Sequence, residues 1–275
     1  MKILVTGANG MLGQDLVPIL KNAGHEVLET DIHNLDITLK DNVSSYLEEN
    51  MPELIVHAAA YTAVDNAETD QAKTFLINET GTENLAIISG GLKIPILYIS
   101  TDYVFDGTKN SPYLPSDKTN PLNIYGLSKL NGEKAVKMYN DNHYITRTSW
   151  LYGHKGKNFV ETMIKLARTK PELRVISDQT GCPTWTVALS EAILKIIRTN
   201  KYGTYHVCGS GSTSWHGFAL KIMELMKIDI PVVPVSTQEF PTPAKRPQYS
   251  VMDNNKICPD WQESLKKYIE LRAEG

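Results

Sequence analysis

Tyr125 and Lys129 are the two residues of this chain whose types and spacing point most directly to chemistry. Residues four positions apart on a helix lie on one face, about one turn apart. A neighbouring ammonium group favours the phenolate, so we expect Lys129 to lower the pKa of Tyr125 from its usual value of about 10. Thr101 ends an upstream apolar run and could hold a carbonyl oxygen beside them. These three residues suggest proton transfer to or from a carbonyl group.

The N-terminal segment has the pattern of a dinucleotide-binding turn. A short apolar run opens into Gly7, Gly10 and Gly13, and a helical pattern follows. Glycine allows a tight turn close to a pyrophosphate, and a helix N-terminus offers free N–H groups to the anion. Residues 24–31 have the pattern of a second strand that ends in Asp31, near the spacing at which a carboxylate meets the adenine ribose. The order of strand, glycines, helix, strand and acid therefore predicts a bound dinucleotide.

The composition suits an enzyme and excludes several other classes. The 275 residues include 28 basic and 31 acidic side chains, so we expect no nucleic-acid and no membrane partner. Neither a secretory signal pattern nor an apolar run of membrane-spanning length occurs in the sequence. Cys182, Cys208 and Cys258 are scattered without metal-ligand spacing, which is typical of reduced packing residues in a cytoplasmic protein.

Alternating strand and helix patterns predict an α/β fold of Rossmann type, with a doubly wound parallel sheet covered on both faces. We expect residues 1–150 to form the NAD(P)-binding domain. Residues 151–275 mainly form a smaller substrate-binding lobe, with some segments returning to the first domain, and the proline-rich stretch 231–247 forms a loop. The predicted strands are 24–31, 54–57, 96–100, 144–148 and 173–176, after the N-terminal one, and the predicted helices are 11–23, 39–50, 72–90, 125–139, 159–169, 187–199 and 215–226.

Several longer motifs carry a resemblance to a known family. The glycine motif, the strand ending at Thr101 and the Tyr125/Lys129 pair resemble the extended short-chain dehydrogenase/reductase superfamily. Over essentially the whole chain, more particular strings resemble the dTDP-4-dehydrorhamnose reductase family. These strings are 58–65 (AAAYTAVD), 100–107 (STDYVFDG), 147–153 (RTSWLYG), 178–184 (DQTGCPT) and 246–250 (RPQYS).

The resemblance implies a reaction and roles for the residues named above. The family reduces the C4 ketone of dTDP-4-dehydro-L-rhamnose with NADPH or NADH, giving dTDP-L-rhamnose for cell-surface polysaccharides. In that reaction Tyr125 supplies a proton, Lys129 binds the nicotinamide ribose, and Thr101 donates a second hydrogen bond to the ketone oxygen. Asp102 contacts the sugar.

Further positions are implied by match to the family motifs. Trp150 would pack on the sugar and Arg246 would bind the diphosphate, because a guanidinium can bond two phosphate oxygens at once. Asn78 would support the site through backbone contacts, and His57 would be structural or line the cofactor. The remaining cofactor-binding residues implied are Gly7, Gly10, Met11, Leu12 and Gly13 at the pyrophosphate, Asp31, Asp36 and Ile37 around the adenosine, and Ala60, Tyr61 and Thr62 along the cofactor.

Cofactor choice, metal dependence and assembly stay open at this stage. Asp31 favours NADH because it repels a 2′-phosphate, whereas His33 could accept that group and the family uses either nucleotide, so we expect dual use. Some relatives hold Mg²⁺ between carboxylates at a dimer contact, and Gln14-Asp15 occupies that region here. We predict no metal, and either a monomer or a homodimer.

Two other functions fit the motifs less well. A nucleotide-sugar epimerase or dehydratase would share the fold, but dehydratases typically place a second acid after the aspartate, where this chain has Tyr103. A non-catalytic regulatory subunit of methionine adenosyltransferase resembles this family too. Such a protein need not keep Thr101, Tyr125 and Lys129, so their presence favours an enzyme.

Overall fold

The computed structural model describes residues 1–274, in which strands and helices alternate. The strands are β1 (Lys2–Thr6), β2 (Glu26–Thr30), β3 (Leu54–His57), β4 (Ile96–Thr101), β5 (His143–Thr148), β6 (Leu151–Tyr152), β7 (Leu173–Ile176), β8 (Thr180–Gly181), β9 (Thr184–Trp185), β10 (Gly203–His206), β11 (Thr213–Ser214) and β12 (Val232–Val235). The helices are α1 (Met11–Asn22), α2 (Lys40–Asn50), α3 (Val64–Ala67), α4 (Gln71–Phe75), α5 (Thr82–Gly91), α6 (Ile124–Tyr139), α7 (Phe159–Ala167), α8 (Thr186–Ile197), α9 (Trp215–Met226) and α10 (Trp261–Glu274).

Six parallel strands form the central sheet in the order β10-β5-β4-β3-β1-β2. Strands β3 and β4 are buried along their whole length, as expected of strands covered on both faces. The chain moves outward from β1 in both directions, so the strand order reverses between β1 and β3. Ligands of open α/β sheets bind at the carboxyl ends of the strands beside such a reversal. The predicted doubly wound fold is confirmed.

Apolar side chains on both faces of the sheet hold the helices in place. On one face Leu16 of α1 and Ile193 of α8 belong to the same buried cluster as the strands. On the other face Leu47 of α2 and Val136 of α6 do the same. A separate cluster around Phe218 joins α7, α9 and α10. The helices thus complete two apolar layers around the sheet, while the third cluster gives the C-terminal region a core of its own.

Most predicted elements occur within a few residues of their expected bounds, and β7 and α9 match them fully. The predicted helix 72–90 is interrupted by a π-helical turn, Leu76–Gly81. The expectation that 231–247 forms only a loop was wrong. Val232 and Val233 pair in parallel with Leu173 and Arg174, because two β-branched residues beside an available strand edge favour pairing.

Two elements of the second half of the chain return to the central sheet. Strand β10 pairs in parallel with β5, with Thr204 opposite Ile145. Helix α8 packs against α1 through the cluster that contains Leu189. The sequence predicts returning segments but does not locate them. Within residues 1–274, no helix combines the length and the apolar character needed to cross a membrane.

Candidate active site

A cleft of about 620 Å³ opens at the carboxyl ends of β1, β3 and β4, beside the reversal of strand order. Residues from both halves of the chain line it, so the site is built at the junction of the sheet and the C-terminal region. It brings together most residues singled out in the sequence, namely Gly7, Gly10, Met11, Leu12, Gly13, Asp31, Asp36, Ile37, Ala60, Thr62, Thr101, Asp102, Tyr125, Lys129 and Trp150.

The glycine turn between β1 and α1 has the geometry of a phosphate-binding turn. Gly7 adopts a φ of +67°, and a Cβ there would lie 2.7 Å from the Ala59 backbone nitrogen. A Cβ on Gly13 would collide with the Ala8 carbonyl oxygen. Both positions therefore need glycine for a close backbone approach. Helix α1 begins after Gly10 without a side-chain cap, which leaves its first N–H groups available to an anion.

The loop after β2 is ordered by its own carboxylates. The Ile32 backbone N–H donates to Asp31 Oδ1 at 2.7 Å, and the Thr38 backbone N–H donates to Asp36 Oδ1 at 2.9 Å. A second, smaller cavity of about 160 Å³ lies beside Asp31 and is also lined by His33 and Asn34. Asp31 thus borders both cavities, at the position expected for the adenosine half of a dinucleotide.

Tyr125, Lys129 and Thr101 meet on one wall of the cleft because α6 lies unusually close to β4. A Cβ on Gly126 would collide with the Tyr103 carbonyl oxygen, and one on Gly132 would collide with the Tyr98 hydroxyl. Two helical glycines therefore allow the close approach. Asn123 caps α6 by accepting a hydrogen bond from the Gly126 N–H at 2.7 Å. The helix start, and with it Tyr125, is fixed by this cap.

The pKa of Tyr125 does not move in the direction that its lysine neighbour led us to expect. Burial raises the pKa of Tyr125 to about 12, with a further contribution from the Asp102 carboxylate, while contact with Thr101 opposes the rise. Lys129 is itself buried, which lowers its pKa to about 7 against the opposing charge of Glu133. Its Nζ lies 4.1 Å from the centre of the Tyr98 ring. Desolvation of the phenol is thus the largest influence on the pKa of Tyr125.

Asp102 lines the cleft and is almost fully buried. Its Oδ1 accepts a hydrogen bond from Thr101 Oγ1 at 3.1 Å, whereas its Oδ2 is buried without a hydrogen-bond partner among the described residues. Burial raises the pKa of Asp102 to about 6, and proximity to the Ser250 and Thr101 hydroxyls limits the shift. A buried carboxylate oxygen without a partner is costly, in keeping with the raised pKa of this group.

Trp150 lines the cleft in an arrangement that the sequence did not reveal. Its φ of +48° is in the left-handed region, which is uncommon for a bulky residue. Its indole stacks on that of Trp215, with ring centroids 3.5 Å apart and planes 6° from parallel. Trp215 also lines the cleft. Sequence reasoning missed Trp215, because an aromatic residue at the start of a helix resembles a packing residue.

Two residues expected in the site do not line the cleft. Tyr61 is held through its backbone: its N–H donates to Asn78 Oδ1 at 2.8 Å, and its carbonyl accepts from Asn78 Nδ2 at 3.0 Å. This contact is the one expected of Asn78. Arg246 makes a paired contact with Asp65, at 3.0 Å from Nη1 and 2.8 Å from Nη2. Hydrogen bonding from Arg246 lowers the pKa of Asp65.

His57 is a buried structural residue and lies outside the cleft lining. Its Nδ1 is 2.8 Å from Thr6 Oγ1, and its Nε2 is 3.0 Å from Thr82 Oγ1. Burial lowers its pKa to about 3, with a smaller effect from the charge of Lys129, so the ring is neutral at pH 7. Both ring nitrogens therefore serve to join β1, β3 and α5, in agreement with the structural interpretation.

The region considered for a carboxylate metal site is occupied by protein contacts. Asp15 accepts a hydrogen bond from the Thr186 hydroxyl, which joins α1 to α8. No group of three or more histidine, cysteine, aspartate or glutamate side chains with metal-binding geometry was found among residues 1–274. The three cysteines are buried free thiols.

The fold and the site define a class of protein. A parallel sheet with a glycine turn at the reversal, together with threonine, tyrosine and lysine on one wall, is the arrangement of nicotinamide-dependent oxidoreductases of the short-chain dehydrogenase/reductase type. Comparison with known proteins narrows the class. Residues 1–273 match the family described as the RmlD substrate binding domain. The chain belongs to this family, that of the dTDP-4-dehydrorhamnose reductases.

Three relatives illustrate the similarity over the full length. The chain is 41% identical to the spore coat polysaccharide biosynthesis protein SpsK of Bacillus subtilis, covering 100% of this chain and 99% of that one. It is 46% identical to a dTDP-4-dehydrorhamnose reductase structure from Clostridium acetobutylicum, with a TM-score of 0.97 and coverage of 99% and 100%. The same reductase from Bacillus anthracis, solved in complex with NADP, is 41% identical with a TM-score of 0.95 and coverage of 98% and 99%.

Proposed function

We propose that this chain is a dTDP-4-dehydrorhamnose reductase that uses NADPH or NADH to reduce the C4 ketone of dTDP-4-dehydro-L-rhamnose to the alcohol of dTDP-L-rhamnose. One observation carries the proposal. Thr101 from β4 and Tyr125 and Lys129 from α6 share one wall of a cleft whose other end is a phosphate-binding glycine turn. Full-length similarity to reductases of this name supports the substrate.

The residues of the cleft fit a bound dinucleotide. Glycines at positions 7 and 13 let the turn pack tightly against its own backbone, and the uncapped start of α1 offers N–H donors to a pyrophosphate. Gly10, Met11 and Leu12 would hold the pyrophosphate, and Lys129 would bind the nicotinamide ribose. When bound, the reduced nicotinamide supplies the hydride that reaches the C4 carbon of the sugar.

Tyr125 supplies the proton that completes the reduction. Hydride addition leaves negative charge on the C4 oxygen, and a donor aimed at that oxygen stabilises the transition state more than the ground state. The pKa of about 12 keeps the Tyr125 phenol protonated at pH 7, ready to donate. Thr101 donates a second hydrogen bond to the same oxygen. The Tyr125 phenolate that remains then takes a proton from solvent.

The other residues would hold the sugar and the diphosphate. Asp102, which lines the cleft, would accept a hydrogen bond from a sugar hydroxyl through its carboxylate. Trp150 would form an apolar wall for the ring. Asp65 holds the guanidinium of Arg246 in a bidentate pair. Arg246 would bind phosphate oxygens through N–H groups that this pair does not use.

Dual cofactor use is part of the proposal. The carboxylate of Asp31 borders the adenosine end of the cleft and would bond the ribose hydroxyls of NADH. The smaller cavity beside it, lined by His33 and Asn34, could receive a 2′-phosphate. The NADP complex of the Bacillus anthracis reductase supports use of the phosphorylated nucleotide.

We also propose the organisation and setting of the enzyme. The domain boundary is placed at about residue 150, with α8 and β10 belonging to the cofactor domain because they pack on and extend its sheet. Buried free thiols fit a reducing compartment, so we propose a cytoplasmic enzyme acting as a monomer or homodimer. The name of the Bacillus subtilis relative supports a place in polysaccharide biosynthesis.

The decisive test measures loss of reduced-nicotinamide absorbance with purified protein and enzymatically generated dTDP-4-dehydro-L-rhamnose, with NADH and NADPH in parallel. We expect rapid oxidation with both nucleotides. Tyr125→Phe should lower kcat by about 10² to 10⁴-fold, because general-acid catalysis is worth that much. It should leave the dissociation constant of NADPH nearly unchanged, since the phenol is not needed to hold the nucleotide.

Two results would contradict the proposal. Near wild-type turnover by Tyr125→Phe would remove the assigned proton donor. Absence of oxidation by protein that binds NADPH would favour another keto sugar or a non-catalytic role. A nucleotide-sugar epimerase would instead interconvert sugars without net consumption of added NADPH, and the product spectrum distinguishes that outcome directly.

A further inference from the structure

The stacked indoles of Trp150 and Trp215 form an aromatic wall on the C-terminal side of the cleft. The two rings lie face to face at 3.5 Å and are only partly buried, because both border the cavity. Behind them Phe159 contacts Trp215 with ring centroids 4.6 Å apart. The Trp150 indole is therefore backed by a second and a third aromatic ring, which belong to α9 and α7.

Contacts from several segments determine where the Trp150 indole lies. The left-handed backbone at Trp150 is disfavoured for an L-residue and persists only where the surroundings hold it. Its carbonyl accepts a hydrogen bond from the Thr184 N–H at 3.2 Å. A Cβ on Gly181 would lie 2.5 Å from Trp150 Cε2 and 2.7 Å from Nε1, so glycine is needed there for the indole to fit.

The small sheet of β8 and β11 relates Gly181 and Trp215, the two residues that contact the Trp150 indole. Gly181 in β8 pairs in antiparallel fashion with Thr213 in β11, and α9 begins at Trp215, directly after that strand. The Ser214 hydroxyl caps α9 by accepting from the Gly217 N–H at 3.0 Å, which fixes the helix start. The position of Trp215 relative to Gly181 is therefore set by strand pairing, and the Trp150 ring must adapt to both.

We propose that Trp215 is a positioning residue. Together with Gly181 it fixes the Trp150 indole as the wall that decides which face of the C4 ketone meets the hydride. This inference rests on the proposed reductase function. A planar ketone carbon has two faces, and reduction from the other face yields the C4 epimer of the product. A wall held in one orientation admits one sugar pose, whereas a ring free to turn admits both.

The test compares Trp215→Ala, Trp215→Phe and Gly181→Ala in the full-length enzyme. Trp215→Ala should raise KM for dTDP-4-dehydro-L-rhamnose about 2- to 10-fold, the range expected for loss of one aromatic pair, and leave KM for NADPH unchanged. It should also release a measurable fraction of the C4 epimer, detected by NMR of the sugar product. Gly181→Ala should act in the same direction, because its methyl group must displace the indole. Trp215→Phe should restore much of the wild-type KM for the sugar nucleotide and much of the wild-type product stereochemistry.

The control is Gly91→Ala at the end of α5, where a Cβ would meet nothing within 4 Å. A single product from both Trp215→Ala and Gly181→Ala would overturn the inference, whatever the KM values. Equal increases in KM for sugar and nucleotide, with lower thermal stability and one product, would overturn it as well, since they indicate a purely structural role.

Binding of the product separates this inference from the proposed function. Calorimetric titration with dTDP-L-rhamnose should show weaker binding to Trp215→Ala than to wild type. Wild-type protein without turnover, but with Trp215-dependent product binding, would refute the reductase and keep the aromatic wall as a sugar-nucleotide site. If wild-type protein is active and Trp215→Ala still yields a single C4 stereoisomer, the reductase function is kept and the positioning role of Trp215 is refuted.

Discussion

Replacement of Glu133 by glutamine is expected to destabilise the protein strongly, because this carboxylate holds a buried charge directly behind the site. Glu133 and Arg147 are 1% and 2% exposed and form an ion pair at 2.7 Å. Glu133 Oε1 also accepts hydrogen bonds from Arg147 Nε at 2.8 Å and from Ser100 Oγ at 2.6 Å. An amide cannot accept at both positions, so its NH₂ group would face a donor and the guanidinium would stay buried without a counter-charge.

The magnitude follows from that geometry. Removing one partner of a buried ion pair costs about 3 to 5 kcal/mol, out of a total stability of about 5 to 15 kcal/mol. At about 2 to 4 °C per kcal/mol for a protein of roughly this size, Glu133→Gln should lower Tm by about 6 to 20 °C. Glu133 also raises the pKa of Lys129, so its loss should further reduce the charged fraction of Lys129 at pH 7.

The assay is urea and thermal unfolding at pH 7, with Glu224→Gln as the matched control. Glu224 is 65% exposed in its pair with Lys221, so its replacement should change stability by less than about 1 kcal/mol. Replacing both partners, as Glu133→Leu with Arg147→Met, should recover much of the lost stability because no unpaired charge remains. If Glu133→Gln stays within about 1 kcal/mol of wild type, the reasoning about an unpaired Arg147 is refuted.

Two further predictions concern pH and the cofactor. Burial lowers the pKa of Lys129 to about 7, so its ammonium group is lost as pH rises through that value, and kcat/KM should fall above pH 7. Lys129→Arg should move this fall in kcat/KM to higher pH. If the pH of the fall does not change, it reports the titration of another group. Asp31→Asn should raise the ratio of kcat/KM for NADPH over NADH by about tenfold or more, because a unit charge a few ångströms from a phosphate near the surface is worth over 1.4 kcal/mol. Asp229→Asn, an exposed change elsewhere, is the control, and an unchanged ratio in the Asp31 variant would show that its charge does not select the nucleotide.

The features that the sequence alone determined depend on short stretches of chain. The glycines at positions 7 and 13 predict a tight turn, and a Cβ at either position would collide with the backbone. Tyr125 and Lys129 share a helix face because helical periodicity acts within one turn. Apolar runs followed by Thr101 and by the glycine turn place chemistry at the carboxyl ends of strands, and the cleft opens there.

Only the tertiary structure decided the burial of the site residues and the side-chain contacts between distant segments of the chain. Burial, which no local pattern reports, raised the pKa of Tyr125, whereas the Tyr125/Lys129 spacing alone predicted a lowered value. The stacking of Trp150 on Trp215, and the pairing of Arg246 with Asp65, join residues far apart in the chain. Periodicity identifies the elements, but it does not say which side chains meet when the elements pack. Such meetings depend on the packing of the whole chain, and only the folded structure contains that information.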